Sequence, residues 1–453
     1  MRSALLLVLL ALSAPVATQA QVSGDAPPAA AAFWQSLGDP TLDRLVGQAL
    51  EGNHDLRAVE ARVREASATR VEAALDLAPS ITAVGGYSRQ RLSSATFPGT
   101  AGSLPDQNVW DAGVQMSWEL DVFGRVRRSL QGRNALLASA EDDVGDTQVL
   151  LVTEVARAYF DLRGAQDRLA VARQNAENQR RTLELTQDRL ELGRGNAVDT
   201  ERAQAQLSST LATIPALEAE IAAAQHRTGV LLGQPPTAVV EELGAEPRTL
   251  ALPADLNVTN VEQLVRTRPD VRSAEQQHVA SKAFVGAAKA DYLPRLSIGA
   301  TAGYTAGAFD ALGNSAPRYA VGPVISWPLF DLGRVKTRVD AARAAEVGAA
   351  ARYEQSILRA LEEAETSLVS FERARERLQH LDDAAAASER ATELARLRFE
   401  EGAADFLEVL DAERTLLEAQ DRSAAGRTDA TNWLVSVYRA LGGVRPDGLG
   451  GSR

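Results

Sequence analysis

The residues that most often carry catalysis or hold metals form no recognisable site in this sequence. The four histidines, His54, His226, His278 and His380, are far apart and lack the spacing of metal ligands. Cysteine is absent, which removes thiolate metal sites, cysteine nucleophiles and disulfides. No GxSxG motif or phosphate-binding glycine loop stands out, and the acidic residues are spread along helical segments. We therefore expect no enzyme activity, no catalytic residues, no metal and no cofactor.

Composition narrows the class of protein. The chain has 453 residues, of which 45% are hydrophobic but only 5% are aromatic. Alanine dominates the apolar fraction, so the core must be built from small side chains held close together, as in packed long helices. The net charge of −12 disfavours nucleic acid as a partner, because binding phosphates needs a basic surface.

The first residues, 1–20, have the pattern of an export signal. Arg2 supplies a positive charge, an apolar run extends from Ala4 to Leu12, and Thr18-Gln19-Ala20 forms a small-x-small cleavage site. The alternative, an uncleaved membrane anchor, is disfavoured because about 18 apolar residues are needed to cross a bilayer. We expect a loose extension at 21–40 and, without cysteine, no lipid anchor on an N-terminal cysteine.

An unusual junction occurs twice. The stretches SWELDVFGRVRR, from Ser117 to Arg128, and SWPLFDLGRVKTR, from Ser326 to Arg338, begin 209 residues apart. The same offset aligns residues after the junction, and an offset of 215 aligns those before it. This pattern predicts two structural repeats. The predicted boundaries are 41–240 and 261–443 for the repeats, 241–260 for a linker and 444–453 for a tail.

Each repeat is predicted to contain a helix, a β-hairpin, a very long helix and a returning helix. Apolar residues alternate with polar or small ones from Val109 to Leu120 and from Tyr319 to Leu329, which is typical of strands with one apolar face. The predicted boundaries are about 80–120 and 295–329 for the β-hairpins and 125–232 and 334–441 for the helical hairpins. The strand-to-helix junctions are predicted at Gly124, Arg125, Gly333 and Arg334.

The long helices contain no proline and little glycine from Arg125 to Leu192 and from Arg334 to Glu401. Rods of this length would span roughly 100 Å at about 1.5 Å per residue. Each rod carries a heptad seam, which predicts that it coils around a neighbouring helix. The seam residues are Leu162, Ala165, Leu169, Ala172, Ala176, Gln179, Leu183, Thr186 and Leu190 in the first rod, and Phe371, Ala374, Leu378, Leu381, Ala385, Ser388, Thr392, Ala395 and Phe399 in the second.

The four predicted strands have the length and the single apolar face of bilayer-crossing strands. Four strands are too few to close a barrel, whereas two chains would offer eight and three would offer twelve, with room for a lumen. The alternative is a soluble sandwich with ordinary core tryptophans. The aromatic residues expected at the membrane surfaces are Tyr87, Trp110, Trp118, Tyr304, Tyr319 and Trp327.

Further motifs cover nearly the whole chain after the export signal. They are FWQSLGDPTLDRLVGQALEGNHDLRAVEARV (Phe33 to Val63), RTGVLLGQPP (Arg227 to Pro236), RPDVRSAE (Arg268 to Glu275), LPRLSIGATAGY (Leu293 to Tyr304) and VYRALGG (Val437 to Gly443). With these motifs and the two junctions in this order, the sequence resembles the outer-membrane efflux-channel family, the TolC-like proteins of tripartite drug-efflux pumps. The resemblance implies a mainly α-helical protein with membrane β-strands, whose trimer forms a 12-stranded outer-membrane β-barrel continuing into a periplasmic α-helical barrel.

The resemblance also implies the function of an exit duct that passively conducts small molecules, such as drugs or toxic compounds, across the outer membrane. The implied partners are further copies of the chain in a homotrimer, a periplasmic adaptor protein, an inner-membrane transporter of the proton-driven resistance-nodulation-division type, and outer-membrane lipid. Two alternatives stay open. One is the duct of a type I protein-secretion system, and the other is a soluble periplasmic coiled-coil scaffold or adaptor, which would lack the amphipathic strands.

By the same resemblance, the gate lies at the periplasmic end of the helices. The resemblance implies acidic rings at Asp199, Glu408 and Asp411, where closely spaced carboxylates would attract cations. The alternative is that these acids lie on solvated helix faces near a helix start. The resemblance further implies that Leu190 and Phe399 pack together to hold the hairpins closed. Phe399 stands where family members can have tyrosine, and Ala404 stands where some have arginine.

The resemblance also implies that the adaptor docks at the two hairpin tips. The residues concerned are Gly193, Arg194, Gly195, Gly402 and Ala403. Small residues there would permit close approach of a partner's helices. The glycines can equally be ordinary helix-ending residues.

Overall fold

Long helices joined to a small sheet make up the fold, which is seen in a computed structural model. The structure describes residues 38–92, 105–244, 252, 261–314 and 317–443. The predicted export signal at 1–20, the tail at 444–453, and most of the extension at 21–40 and the linker at 241–260 lie outside the described residues.

The same order of elements occurs twice. The first repeat contains α1 (Pro40–Gly52), α2 (His54–Leu75), β1 (Ser80–Gln90), β2 (Gln107–Glu119), α3 (Arg125–Glu191) and α4 (Ala197–Leu231). The second contains α5 (Val261–Thr267), α6 (Pro269–Ala290), β3 (Arg295–Ala306), β4 (Pro317–Ser326), α7 (Leu332–Glu400) and α8 (Phe406–Ala440). Short 3-10 turns occur at Glu242–Gly244 and Phe309–Asn314. A mainly helical protein with two β-hairpins is therefore confirmed.

The strands form one antiparallel sheet in the order β1-β2-β3-β4. The register places Tyr87 opposite Trp110 and Val114 between Ala83 and Ala302, so the apolar positions of neighbouring strands share one face. β1 is exposed along its whole length, and β4 is exposed at all but one position. The strands at the two edges of the sheet therefore lack cover within the described part of the chain.

The main hydrophobic core lies where the short helices pack against the middle of α3 and the end of α8. Leu42 and Leu45 of α1, Leu162 of α3, and Leu434 and Tyr438 of α8 are completely buried. Burying a leucine or aromatic side chain contributes about 1.5–3 kcal/mol. This cluster anchors the two helical hairpins to one another at the ends of α4 and α8, level with the middle of α3.

The predicted heptad seams are confirmed by burial. All the α3 seam residues from Leu162 to Thr186 are buried, whereas Leu190 is 37% exposed. In α7, Phe371, Thr392, Ala395 and Phe399 are buried and the other seam residues are half-buried. No helix in the described ranges has both the length and the apolarity to cross a membrane.

The four long helices lie side by side. α3 runs for 67 residues and α7 for 69 residues, which is roughly 100 Å each at about 1.5 Å per residue. α3 packs against α4 on one side and against α8 on the other, and α8 packs against α7. The order across one chain is therefore α4, α3, α8, α7.

The two strand-to-helix junctions differ, contrary to the symmetrical prediction. Gly124 precedes α3 in the left-handed region, with φ of +77°, whereas α7 already begins at Leu332, so that Gly333 and Arg334 lie inside the helix. The strand β4 likewise ends at Ser326, which leaves Trp327 just beyond it rather than within it.

A carboxylate explains the difference between the junctions. Asp121 accepts hydrogen bonds of 2.9 Å each from the backbone N–H groups of Val126 and Arg127, which satisfies donors at the start of α3. The equivalent position in the second repeat is Phe330, which has no acceptor in its side chain. The chain there enters the helix earlier, after Asp331.

Candidate functional site at the hairpin tips

The tip of the first helical hairpin closes with a Schellman motif. The N–H of Gly193 donates to the carbonyl of Leu190 at 3.0 Å, and the N–H of Arg194 donates to the carbonyl of Arg189 at 2.8 Å. Gly193 has φ of +69°, a conformation that side chains with a Cβ rarely adopt. This glycine is therefore required by the backbone of the turn.

The second tip has the same construction. The N–H of Gly402 donates to the carbonyl of Phe399 at 3.0 Å, and the N–H of Ala403 donates to the carbonyl of Arg398 at 2.7 Å. Gly402 has φ of +75°. The helix-ending interpretation of both glycines therefore has a structural basis, while adaptor docking stays a prediction.

The other tip residues are exposed. Arg194 and Gly195 of the first tip and Ala403 of the second are open to solvent. A Cβ on Gly195 would collide with the backbone of Leu190, so the first tip turns too tightly for a larger residue there. Apart from Arg194, the tips thus present little side-chain bulk.

The return helices begin with polar caps. The side chain of Asn196 accepts from the N–H of Val198 at 3.0 Å, and that of Asp405 accepts from the N–H of Leu407 at 3.3 Å. The first helical turn is therefore held at each tip. The partial positive charge at each helix start also favours carboxylates placed there.

The three predicted gate acids have different surroundings. Asp199 is half-buried in the first turn of α4. Glu408 is exposed in the first turn of α8 and forms an ion pair of 2.5 Å with Arg398. Asp411 is more exposed, with a side chain 71% open to solvent, and forms an ion pair of 2.8 Å with Arg414. Both acids of the second tip are therefore paired within their own hairpin.

Phe399 lies in an apolar cluster near the tips. The cluster comprises Ala176, Leu183, Ala203, Leu207, Ala395, Phe399, Phe406 and Val409. Phe399 is 9% exposed, and its ring centre lies 5.6 Å from that of Phe406. Leu190 lies outside this cluster, and its part in hairpin packing stays a prediction. The structure instead places Arg189 against the ring of Phe399.

Sequence reasoning missed Glu413, a buried acid that joins three helices. Glu413 is only 2% exposed. Its Oε1 accepts hydrogen bonds from Arg396 of α7, from Nη2 at 2.8 Å, and from the hydroxyl of Thr182 of α3 at 2.8 Å. A usable signal was present, because Glu413 occupies a place in the apolar stripe that continues through Phe406, Val409 and Leu416.

Five of the six predicted aromatic residues lie towards the two ends of the sheet, whereas Tyr319 is level with Val114, midway between Trp110 and Trp118. Towards one end, Tyr87 and Trp110 are opposite each other with ring centres 4.6 Å apart, and Tyr304 lies nearby on β3. At the end next to the helices are Trp118 and Trp327.

Those two tryptophans have equivalent partners in the two repeats. The indole N–H of Trp118 donates to the carbonyl of Leu77 at 2.8 Å, and that of Trp327 donates to the carbonyl of Tyr292 at 3.0 Å. Each tryptophan thus ties its β-hairpin to the chain that enters it.

The junction arginines are both ion-paired. Arg125 forms two hydrogen bonds with the carboxylate of Glu119, of 3.0 and 2.7 Å. Arg334 forms an ion pair of 3.0 Å with Asp331. The first pair joins the end of β2 to the start of α3, whereas the second lies within the start of α7.

Comparison with known proteins identifies the family. A family model described as outer membrane efflux protein matches residues 45–234 and 260–443. The chain belongs to the outer membrane efflux protein family. This confirms the resemblance seen in the motifs, and it supports location in the outer membrane.

Individual relatives of this outer membrane efflux protein match over most of its length. The solved outer-membrane channel OprN is 40% identical, with 91% of this chain and 92% of that chain covered and a TM-score of 0.85. The toluene efflux pump outer membrane protein TtgF of Pseudomonas putida is 32% identical over 422 residues, which is 90% of this chain and 85% of TtgF. Nodulation protein T of Rhizobium leguminosarum bv. trifolii is 29% identical over 395 residues, covering 86% of this chain and 82% of the relative.

Proposed function

We propose that this protein is the exit duct of a tripartite efflux pump and conducts small molecules passively across the outer membrane. The observation that carries the proposal is the exposed apolar face of a sheet with two open edges. On that face Ile81 is 57% exposed, Tyr319 83%, Val321 68% and Ile325 70%. In water such a sheet would invite aggregation, whereas lipid can cover its face and further copies can pair with its edges.

Pairing between copies would close the sheet into a barrel. In a ring of copies, β1 of one chain is the natural partner of β4 of the next, since each has one edge that no strand of the described ranges pairs with. Three copies of the four strands would supply twelve, enough for a water-filled lumen. The homotrimer is therefore the oligomer we propose, with the long helices continuing the duct into the periplasm.

The energy for transport comes from a partner in this scheme. We propose a periplasmic adaptor that docks at the hairpin tips and an inner-membrane transporter, of the proton-driven type, that hands over the substrate. Family membership points to a duct rather than an enzyme. The name of the relative TtgF supports a small, apolar class of substrate, because that protein belongs to a toluene efflux pump.

We also propose that the barrel alone retains the protein in the membrane. The sequence contains no cysteine to carry a lipid. The acids Asp199, Glu408 and Asp411 would then ring the narrow inner end in three copies each, and Arg189, Phe399 and Phe406 would hold the hairpins together there.

The test is to purify the protein in detergent and reconstitute it in planar bilayers. We expect light scattering to give the mass of three chains, and discrete conductance steps. Val321→Arg, on the apolar face of β4, should abolish membrane insertion, whereas its matched control Ala320→Arg, on the other face of the same strand, should insert normally. A stable monomer that is soluble without detergent would refute the proposal.

A further inference from the structure

Two arginines share one carboxylate at the end of the sheet farthest from the helices. Arg91 forms an ion pair of 2.7 Å with Asp106, and Arg89 forms one of 3.3 Å with the other oxygen of the same carboxylate. The side chains of Arg89 and Arg91 are 67% and 59% exposed. Since one carboxylate balances only one guanidinium group, this cluster has an excess of one positive charge at the surface.

The arginine cluster follows the aromatic pair on the apolar face of the sheet. The hydroxyl of Tyr87 donates to the side chain of Asn108 at 3.1 Å, and Arg89 lies opposite Asn108 in the strand register. Because side chains alternate between the two faces of a strand, Arg89 shares the face of Tyr87, two residues before it. The excess charge therefore lies on the face that contacts lipid in the proposed duct.

The spacing places the arginines at the depth of lipid headgroups. At about 3.3 Å per residue and a strand tilt of about 40°, Arg89 lies about 5 Å farther from the bilayer centre than Tyr87. The headgroup layer is about 5–8 Å thick on each side, because a bilayer of about 40–45 Å has a hydrocarbon core of about 30 Å. With Tyr87 and Trp110 at the edge of the hydrocarbon, the guanidinium group of Arg89 falls within this layer.

The leaflet follows from the direction of the chain. β1 begins at Ser80, after α2, and ends at Gln90, next to the arginine cluster, whereas α3 and α7 leave from the opposite end of the sheet. In the proposed duct the helices extend into the periplasm. The cluster therefore lies in the outer leaflet.

We propose that Arg89 and Arg91 bind a phosphate group of an anionic lipid in the outer leaflet. The inference rests on the proposed function, because that function places the apolar face in the outer membrane. A planar guanidinium group can donate two parallel hydrogen bonds to phosphate oxygens. Asp106 orients both guanidinium groups without cancelling their combined charge. A trimer would carry three such sites around the outside of its barrel.

An ion pair on the other face of the sheet has no such excess charge. Arg318, which precedes Tyr319 on β4, forms an ion pair of 2.8 Å with Asp111, and Asp111 also accepts a hydrogen bond of 2.7 Å from Thr305. One arginine here meets one acid, on the face turned away from lipid in the proposed duct. Arg318 therefore provides a matched control, since it is an exposed, ion-paired arginine of the same sheet.

Native mass spectrometry of the full-length protein in detergent tests the site. The probe is lipid A, a glycolipid with two phosphate groups, and we expect Arg89→Gln/Arg91→Gln to weaken its binding about tenfold or more, since charge-assisted hydrogen bonds to phosphate are lost. Arg318→Gln should bind lipid A as the wild type does. Equal binding by the wild type and the double variant would overturn the proposal.

Two further ligands identify what the arginines recognise. Dephosphorylated lipid A should bind the wild type about tenfold more weakly than lipid A does, and equal affinity for both lipids would overturn phosphate recognition. Inorganic phosphate at millimolar concentration should not displace lipid A, because the acyl chains add apolar contacts with the sheet. Displacement by inorganic phosphate would show a site for a soluble anion and overturn the lipid assignment.

A second variant covers a loss of folding in the first. Arg89→Lys/Arg91→Lys keeps both charges but removes the planar forks, and we expect it to bind lipid A more weakly than the wild type and more tightly than the glutamine variant. Lipid-free melting temperatures should be similar for all variants, because exposed ion pairs contribute little to stability. If only the lysine variant folds, lipid A binding equal to that of the wild type would overturn recognition by the guanidinium forks.

The outcome for the site is separable from the outcome for the duct. A wild-type trimer that gives conductance steps but does not distinguish lipid A from its dephosphorylated form would overturn the lipid site and leave the duct intact. A stable monomer that is soluble without detergent would overturn both.

Discussion

The guanidinium of Arg189, at the end of α3, lies 4.0 Å from the centre of the Phe399 ring on α7 and donates a hydrogen bond of 3.2 Å to the carbonyl of the same residue. Phe406 packs against the ring at 5.6 Å. A residue of the second hairpin is thereby held by a cation–π contact, a backbone hydrogen bond and aromatic packing. Within one chain, the two tips are fastened to each other at this point.

Removing the arginine should loosen the tips. A cation–π contact contributes about 0.5–2 kcal/mol, so Arg189→Ala should raise the resting conductance of the reconstituted duct several-fold. The control is Arg194→Ala, which removes an exposed arginine of the same tip. Equal conductance of the two variants in planar bilayers would show that the contact does not hold the aperture.

Neutralising the three acids should change ion preference. We expect Asp199→Asn/Glu408→Gln/Asp411→Asn to lower the preference for cations over anions, because carboxylates around a narrow pore attract cations. Reversal potentials under a salt gradient measure the preference. Glu51→Gln, an exposed acid of α1 far from the tips, is the control. An unchanged reversal potential would place the three acids outside the pore.

Glu413 should matter more for stability than its exposed neighbour. Glu413→Ala leaves the partly buried Arg396 without its carboxylate and removes one of the two acceptors of the Thr182 hydroxyl, and we expect a loss of about 3 kcal/mol in the free energy of unfolding. The matched control is Asp411→Ala, which breaks an exposed ion pair and should cost less than about 1 kcal/mol. Thermal unfolding in detergent compares them, and similar melting temperatures would contradict the assignment.

Asp146, in the part of α3 nearer the sheet than the hairpin tip, should make stability depend on pH. Burial, together with the nearby charge of Asp270, raises the pKa of Asp146 from 3.8 to about 6, although Arg268 and Arg439 lower it. The folded protein therefore binds this proton more tightly than the unfolded chain does, and the free energy of unfolding falls as the pH rises from about 4 to about 6.

Asparagine at this position should remove that loss. With allowance for partial exposure, we expect Asp146→Asn to raise the free energy of unfolding by about 1–2 kcal/mol at neutral pH and to have little effect below pH of about 4. Melting temperatures across this range measure the effect. Asp383→Asn, at an exposed position of α7, is the control. A variant that is destabilised equally at all pH values would contradict the prediction.

Much of the fold follows from local patterns. The alternation around Val114 predicts a strand with one apolar face, and the register with Ala83 and Ala302 confirms it. The heptad seam from Leu162 to Thr186 predicts the buried side of α3. These predictions succeed because strand and helix periods are set by the backbone within a few residues. The second junction lies one residue before the predicted Gly333, because Phe330 offers no acceptor at the position from which Asp121 caps α3 in the first repeat.

The sequence by itself determined the repeat, the rods, the amphipathic strands and the family, since each of these is written in residue types at fixed spacing. Only the tertiary structure decided that Glu413 meets Thr182, 231 residues away, and that Arg189 meets Phe399, 210 residues away. Such contacts depend on which helices lie side by side and at what height. That arrangement is set by packing over the whole length of α3 and α8, so no local pattern contains it.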